Sequence, residues 1–553
     1  MDTLGWKQCD VILISGDAYI DSPFIGVAVI GRILEKQGYK VGMIGQPDIG
    51  SDVDITRLGE PKLFWGISGG SVDSMVSNYT ATKKLRNSDD YTPGGKNNKR
   101  PDRAALVYSN LIRRFFKNTV PIVLGGIEAS LRRVTHYDYW SNKLRKPILF
   151  DAKADILIYG MGENAVTQLA HAFKEGKEYK NIRGTCYISK EPEEKYIQLP
   201  SHEKALKDKE KYIDLFNAFY DNNDPISAKG LCQKVDTRYL IQNPPSDYLD
   251  ESEMDVVSGL PFTLELHPYH RKEGEVKCLE TIKFSIMTHQ GCWGECNFCA
   301  IGVHQGRSIR MRSEKSIIDE AKKFAGYKDF KGIISDVGGP TANMYGYECD
   351  KKLKKGTCDH MRCVGSSGLC EMMNVDHSRN IELLRKVRSV PGVRKAFVAS
   401  GVRYDLIDAD KKHGYSYLKE LIKHHISGQM KVAPEHTEPR VLELMGKPGK
   451  RSLIDFKKLF DRLNREQGKK QFLTYYIIAA HPGCDERDMH KLKRFTTQEL
   501  KINPEQAQVF TPTPGTYSSV MYYTEIDPTT RKKIFVEKDM RRKEMQKEIV
   551  IKK

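Results

Sequence analysis

Seven of the twelve cysteines fall between Cys292 and Cys370, in two groups, while Cys9, Cys186, Cys232, Cys278 and Cys484 are scattered. The sharper group lies in HQGCWGECNFCAIGVHQGRSIRMRS, where Cys292, Cys296 and Cys299 are spaced C-x3-C-x2-C. Three thiolates on one short loop suit three irons of a 4Fe–4S cubane and leave the fourth iron open. An open coordination position marks a reactive metal rather than a structural one. Zinc would call for a fourth protein ligand, and His289 and His304 stand close enough in sequence to be weighed for it. The second group, Cys349, Cys358, Cys363 and Cys370, lies in YECDKKLKKGTCDHMRCVGSSGLC. Its spacing is irregular for a zinc ribbon. Four thiolates are nevertheless enough for an auxiliary 4Fe–4S cluster or a zinc ion. A redox-labile thiol loop is the remaining reading. The five scattered cysteines read as small buried hydrophobes.

The segments that must position these thiols alternate between strand-like and helix-like patterns. In the first third, DVILIS, KVGMIGQP, LFWGISGG, PIVLGGIEAS and ADILIYGMGENAV each put an apolar run before a turn. Helical stretches such as AALVYSNLIRRFFKN separate them. This alternation predicts a parallel sheet with helices on both faces, whose ligand edge lies at the carboxyl ends of its strands. The polar stretch Asn87–Asp102 reads as an exposed loop. Residues 176–280 lose the alternation and read as a connector after a domain of residues 1–175. A second α/β run spans residues 281–527, with strands in IKFSIMTH, KGIISDV, KAFVAS, MKVAP, FLTYYIIAA and AQVFTPTP. Six such strands suit a partial or complete α/β barrel, with its chemistry on the loops after the strands. The first cysteine group follows IKFSIMTH, as that rule requires. Residues 528–553 form a basic tail.

Composition narrows the class. Hydrophobic content of 39% and charged content of 29% are those of a soluble globular chain. No run approaches the ~18–20 apolar residues of a membrane helix. The start, MDTLGWKQCDVILISGD, has no basic segment before its apolar run, so a cytoplasmic location is expected. The net charge of +17 invites RNA as a partner. The basic residues are spread widely, however, and no aromatic-interleaved RNA motif accompanies them.

The C-x3-C-x2-C spacing, with Phe298 just before the last cysteine, resembles the signature of the radical S-adenosylmethionine (SAM) superfamily. The resemblance implies that SAM chelates the open iron through its amino and carboxyl groups. Reduction then yields methionine and a 5′-deoxyadenosyl radical, and calls for an electron donor such as flavodoxin or ferredoxin. In IISDVGGPTAN, Gly338 and Gly339 stand where that superfamily's Gly-Gly turn meets the SAM amino group, although its following Glu is Pro340 here. In FVASGVRYD, Ser400 and Arg403 could hold the SAM carboxylate or ribose, and in MKVAPEHTEPR, Lys431, Glu435 and His436 could line the mouth. No residue is assigned a catalytic role.

Across most of the chain, GDAYIDSP, VLGGIEASLRR, YGMGENA, GCWGECNFCAIGVHQGR, DVGGPTANMY, SGVRYDL and QVFTPTPGTYSSVMYYT resemble the YgiQ family of radical SAM proteins. That resemblance implies a flavodoxin-like, cobalamin-binding-like N-terminal domain. The cobalamin-ligating Asp-x-His-x-x-Gly pattern is missing, since Gly16–Gly26 is GDAYIDSPFIG, so cobalamin is not expected. The family fixes the cofactor better than the substrate. Two rivals stay open: a methylthiotransferase-like modifier of RNA or a ribosomal protein, and a non-catalytic zinc or iron–sulfur regulator.

Overall fold

The computed structural model describes residues 1–358, 362–366 and 368–551. The chain divides into two compact units, Met1–Leu249 with Val256–Lys283, and Asp250–Asp255 with Phe284–Lys553.

The first unit is built on a nine-stranded sheet. Its strands are β1 (Val11–Ser15), β2 (Val41–Gly45), β3 (Phe64–Ser68), β4 (Ile122–Gly125), β7 (Ile156–Ile158), β8 (Thr185–Ser189), β9 (Ile197–Leu199), β10 (Leu231–Val235) and β11 (Arg238–Gln242). A separate hairpin joins β5 (His136–Asp138) to β6 (Lys143–Arg145). The order across the sheet is β2-β1-β3-β4-β7-β8-β11-β10-β9. Every residue of β1 is buried, as befits an apolar run covered on both faces. The helix Gly26–Lys36 turns Ala28, Val29, Ile33 and Leu34 inward. The helix Glu163–Glu175 packs Leu169 and Ala170 into the core with Val11, Leu13, Phe64 and Ile156, and ends on the left-handed Gly176.

The expected all-parallel sheet holds only for β2-β1-β3-β4-β7. β8 runs antiparallel to β7 and β11, and β10 runs antiparallel to β11. The sheet is therefore mixed. The segment 176–280, which reads as a connector, supplies four of its strands. Those strands bury polar side chains where an apolar alternation would have revealed them. Gln233 accepts a hydrogen bond from the Thr135 N–H at 3.0 Å, and Gln242 accepts one from Arg133 Nε at 3.1 Å. The Asn87–Asp102 stretch also departs from expectation, since Asp89, Thr92 and Arg100 are buried. Arg100 pairs with Asp17 at 2.7 Å and Asp89 at 3.0 Å, so the polar residues face one another instead of water.

The second unit carries β12 (Ser285–Met287), β13 (His289–Gln290), β14 (Arg310–Met311), β15 (Ile333–Ile334), β16 (Asp336–Gly338), β17 (Val364–Gly365), β18 (Gly368–Leu369), β19 (Lys395–Ala396), β20 (Gln429–Glu435), β21 (Phe472–Ala479) and β22 (Gln508–Val509). Parallel pairings run from β12 to β16, from β15 to β19, and through β20, β21 and β22. A parallel bridge between Val402 and Val432 ties the segment after β19 to β20. Helices such as Glu314–Ala325, Ser378–Arg388 and Arg451–Glu466 fill the crossovers. The result is an α/β arc of radical-SAM-like barrel type. Among the described residues no pairing returns from β22 to β12, so the arc is open.

The basic tail is not a loose extension. Residues Met540–Ile551 form a helix whose Val550 is buried with Val441, Met445 and Ile477. Lys543 is fully buried, donating to the Tyr522 hydroxyl at 2.7 Å. The last two residues, 552 and 553, lie outside the described ones. Among the described residues no helix is long and apolar enough to cross a membrane.

Candidate metal and cofactor site

The first cysteine group sits on the loop between β13 and β14, at the carboxyl end of the first strand of the arc. The chain enters it through Gly291, at φ +82°, where a Cβ would lie 2.1 Å from the Ser308 carbonyl oxygen. Only glycine fits so close a backbone approach in that conformation. The Cys292 N–H then donates to the Gly306 carbonyl at 3.2 Å, closing the loop's base. Its far end is anchored by Asn297, whose N–H donates to the Met445 carbonyl and whose side-chain amide donates to the Leu444 carbonyl, both at 2.9 Å.

The three thiols are neighbours. Burial pushes the Cys299 thiol up to about 12, and the charges of Cys296 and Cys292 add to that. Burial also raises Cys292, partly offset by the Thr341 hydroxyl 3.5 Å from its sulfur. Thiols in this state give up their protons when a metal takes the sulfur. Among the described residues, no three His, Cys, Asp or Glu side chains converge closely enough to hold one metal ion. The donors of a 4Fe–4S cubane are thiolates, which are what this loop carries. His289 and His304, the sequence candidates for a fourth ligand, have other settings. His289 is fully buried, its Nδ1 is 2.8 Å from the Thr288 hydroxyl, and its ring lies against Gly339. His304 ends the short helix Ile301–His304.

Arg403 is the one sequence-predicted partner that lies directly against the thiols. Its Nη1 is 3.8 Å from the Cys296 sulfur, and a Cβ on Gly294 would lie 2.6 Å from that nitrogen. Nε and Nη2 fork onto Asp405 at 3.1 and 2.7 Å. Burial works against the Arg403 charge, but Asp405 and Cys296 more than offset it and raise its pKa. The backbone of Arg403 is held by Asn343, which accepts from its N–H at 2.9 Å and donates to its carbonyl at 3.0 Å. Ser400 is elsewhere engaged: its hydroxyl donates to the Asp336 carboxylate, which also accepts from the Ser400 N–H. Gly338 ends β16, and its carbonyl accepts from the Thr288 N–H at 2.7 Å.

Phe298 packs with the cluster around Met445 and Ile477, edge-on to His481 at 6.2 Å between ring centres. Glu435 ends β20 at a register shift and at φ +65°, an uncommon setting for a non-glycine residue. Burial raises its carboxyl to about 7 against the pull of Lys447 and Arg403. His436 is buried beside the Cys484 sulfur, 3.5 Å from Nε2, and burial lowers it to about 3. Lys431 is exposed within β20.

Sequence reasoning missed Asp336, Asn343, Asp405 and Thr341, which hold Ser400, Arg403 and Cys292. Asp405 had a readable signal, a carboxylate two residues beyond a candidate arginine. Thr341 and Asn343 are ordinary loop residues with none.

The second cysteine group packs against the first. Cys349, Cys363 and Cys370 share a hydrophobic cluster with Trp293 and Cys292. Cys363 and Cys370 flank the β17–β18 hairpin, and the Cys370 N–H donates to the Cys363 carbonyl at 2.9 Å.

Known proteins give this geometry its context. A family model described as radical SAM N-terminal matches residues 1–285. A UPF0313 protein of Fusobacterium nucleatum is 60% identical over all of this chain and 97% of its own length. A UPF0313 protein of Thermotoga neapolitana is 47% identical with the same coverage. Among solved structures, the radical SAM methyltransferase TsrM of Kitasatospora setae, with cobalamin and a 4Fe–4S cluster bound, has a TM-score of 0.51 at 13% identity, over 93% of this chain and 77% of that one. The cobalamin-dependent SAM radical enzyme OxsB, with aqua-cobalamin and SAM bound, has a TM-score of 0.51 at 11% identity, over 94% of this chain and 55% of that one. At such identities the likeness is one of fold.

That likeness overturns the expectation that cobalamin is unlikely. The expectation rested on the His missing from Gly16–Gly26, and both of these fold neighbours hold cobalamin. A family model over the first 285 residues and relatives matched along their whole length place the chain: it belongs to the UPF0313 family, related to the YgiQ-like proteins, and with them to the radical SAM superfamily of enzymes.

Proposed function

We propose that Cys292, Cys296 and Cys299 hold a 4Fe–4S cluster, and that the chain cleaves SAM at its open iron to act on a substrate still to be identified. One observation carries this reading: three neighbouring thiols on the loop after the first strand of the arc, with the Arg403 guanidinium 3.8 Å from one of them. When bound, the cluster supplies the electron that breaks the SAM sulfonium into methionine and a 5′-deoxyadenosyl radical, which takes hydrogen from the substrate.

The protein's own part is positioning. Gly291 and Asn297 fix the loop at its two ends. Arg403 offsets thiolate charge from a rigid fork on Asp405, and Cys292 and Cys299 are only partly exposed. Glu435, raised to about 7 by burial, can hold or release a proton at neutral pH beside them. The electron donor is of the flavodoxin or ferredoxin class. In the first unit, the parallel order β2-β1-β3-β4-β7 is the 2-1-3-4-5 pattern of its strands, which supports a flavodoxin-like reading with its ligand edge at the strand ends.

The test is anaerobic reconstitution with iron and sulfide, followed by dithionite and SAM, with 5′-deoxyadenosine measured against a Cys292→Ala/Cys296→Ala/Cys299→Ala variant. Product well above that variant is expected. Equal, background-level product from both overturns the reading, and a colourless preparation carrying one zinc supports the regulator in its place. Cobalamin, bound by both fold neighbours, belongs in the same reconstitution, where corrin absorbance retained after desalting decides whether this chain takes it.

A further inference from the structure

We propose that Cys349, Cys363 and Cys370, joined by Cys358, form a second metal site that takes an iron–sulfur cluster beside the loop of Cys292.

Cys349, Cys363 and Cys370 are gathered although they are far apart in sequence. The β17–β18 pairing sets Val364 opposite Leu369, which places Cys363 and Cys370 opposite each other at the hairpin's open end. Cys349 precedes the helix Asp350–Lys355 and is buried in the same cluster as both. Cys358 follows Thr357, whose hydroxyl accepts from Arg307 at 2.8 Å. Apart from its cysteines, the stretch is poor in core-forming residues: Leu353 is 41% exposed, and Lys351, Lys354 and Lys355 face solvent. A segment so polar buries little apolar surface, and a metal held by its thiolates would add binding free energy to its folding.

The surroundings are cationic. Lys352 is only 3% exposed at its side chain, and its Nζ lies 2.5 Å from the Arg307 carbonyl, 3.3 Å from Glu348 and 3.7 Å from the Cys363 sulfur. Glu348 already answers this buried ammonium, and thiolates on a cluster would add negative charge on the side it turns to Cys363. The same device stands at the first group, where Arg403 approaches Cys296 at 3.8 Å. The two groups are also stitched together. Arg307 pairs with Glu295 at 3.1 Å, and Arg362 donates to the Glu295 carbonyl at 3.0 Å, so the second loop grips the segment between Cys292 and Cys296.

This site stands independently of the SAM reading, and one experiment separates them. The Cys292→Ala/Cys296→Ala/Cys299→Ala variant of the full chain is reconstituted anaerobically and assayed for iron, sulfide, zinc and the EPR signal after dithionite. Retention of about four irons and about four sulfides with a reduced-cluster signal is expected, together with their loss when Cys363→Ser and Cys370→Ser are added. An iron-free triple variant, or one carrying a single zinc, overturns the second cluster. Retention of all the natural chain's iron overturns the first group's role instead. Should the fivefold variant misfold by circular dichroism, Cys363→Ser/Cys370→Ser in the otherwise natural chain decides. Its iron is expected to fall by about half while SAM still perturbs the remaining EPR signal, and unchanged iron overturns the proposal.

Discussion

At the carboxyl ends of their parallel strands, the two units treat buried charge in opposite ways. In the first, Asp17 after β1 meets Arg100, Arg100 meets Asp89, and Asp73 meets Arg132. Glu128 after β4 accepts from the Ser74 and Ala105 N–H groups at 2.9 and 3.0 Å. Charge there is answered by charge within the same fold. In the second, burial raises Cys292, Cys299 and Glu435 even with Arg403 and Lys447 nearby, whose charge does not fully offset it. Partly buried thiols can exchange their protons for metal. A satisfied ion-pair network rigidifies a scaffold, whereas groups left short of partners mark the place kept for a ligand.

The largest effect that bears on this contrast is loss of one thiol. Cys296→Ser is expected to reduce 5′-deoxyadenosine formation to background and to lower reconstituted iron, because two thiolates hold a cubane poorly. Retained product would mean that the ligand set lies elsewhere. Next comes Arg100→Ala in the first unit. It leaves Asp17 and Asp89 buried without their cation, which costs about 3–5 kcal/mol. Chemical unfolding should show this loss in the first unit's transition. A change below about 1 kcal/mol would mean that water already screens the network.

Why the first unit's network escaped sequence reading is instructive. NSDDYTPGGKNNKRPD carries every mark of a solvated loop, and polarity alone cannot tell whether Asp89 and Arg100 face water or each other. Gln233 and Gln242 hid strands β10 and β11 for the same reason, since buried amides break the apolar alternation. The runs that were legible are those buried on both faces, β1, β3 and β4 in the first unit. The second unit's succession of strands and helices was legible as well. The cysteine spacing was read directly because a loop of three thiols is a local pattern. Phe298 was picked out by its place in that pattern, whereas its contact with His481, made across nearly 200 residues of sequence, is one that no local reading reaches.

A pH scan sharpens the contrast from the closed side. His270 in the first unit is 3% exposed, and burial lowers it to about 4 from 6.5. Glu273 opposes that shift, while His267, Arg57 and Lys99 add to it. A depressed folded pKa means that the unfolded chain binds the proton first. The stability this histidine contributes is therefore complete above pH 6.5 and is lost as pH falls toward 4. The loss is on the order of 3 kcal/mol over that window. His270→Gln is expected to flatten this part of the stability profile in unfolding titrations from pH 7 to 4. An unchanged slope would assign the acid sensitivity to other groups.

The smallest effect tests whether the open side works through charge or through geometry. Arg403→Lys keeps a cation near Cys296 but gives up the fork onto Asp405. Lysine is a point charge on a flexible stem, and arginine is a planar group preset for two parallel bonds. If charge alone steadies the thiolates, the lysine variant should retain iron and SAM cleavage close to the natural level while Arg403→Ala loses both. If placement matters, lysine should fall about 10-fold in SAM cleavage with iron content preserved, the lower end of what groups supporting a metal ligand contribute. The second outcome is expected here. Asp405 is two residues from Arg403 and buried with it, and Asn343 clamps the Arg403 backbone from both sides. A fold that needed only a positive charge at this point would not fix Arg403 by a guanidinium fork on Asp405 and by two hydrogen bonds to its backbone.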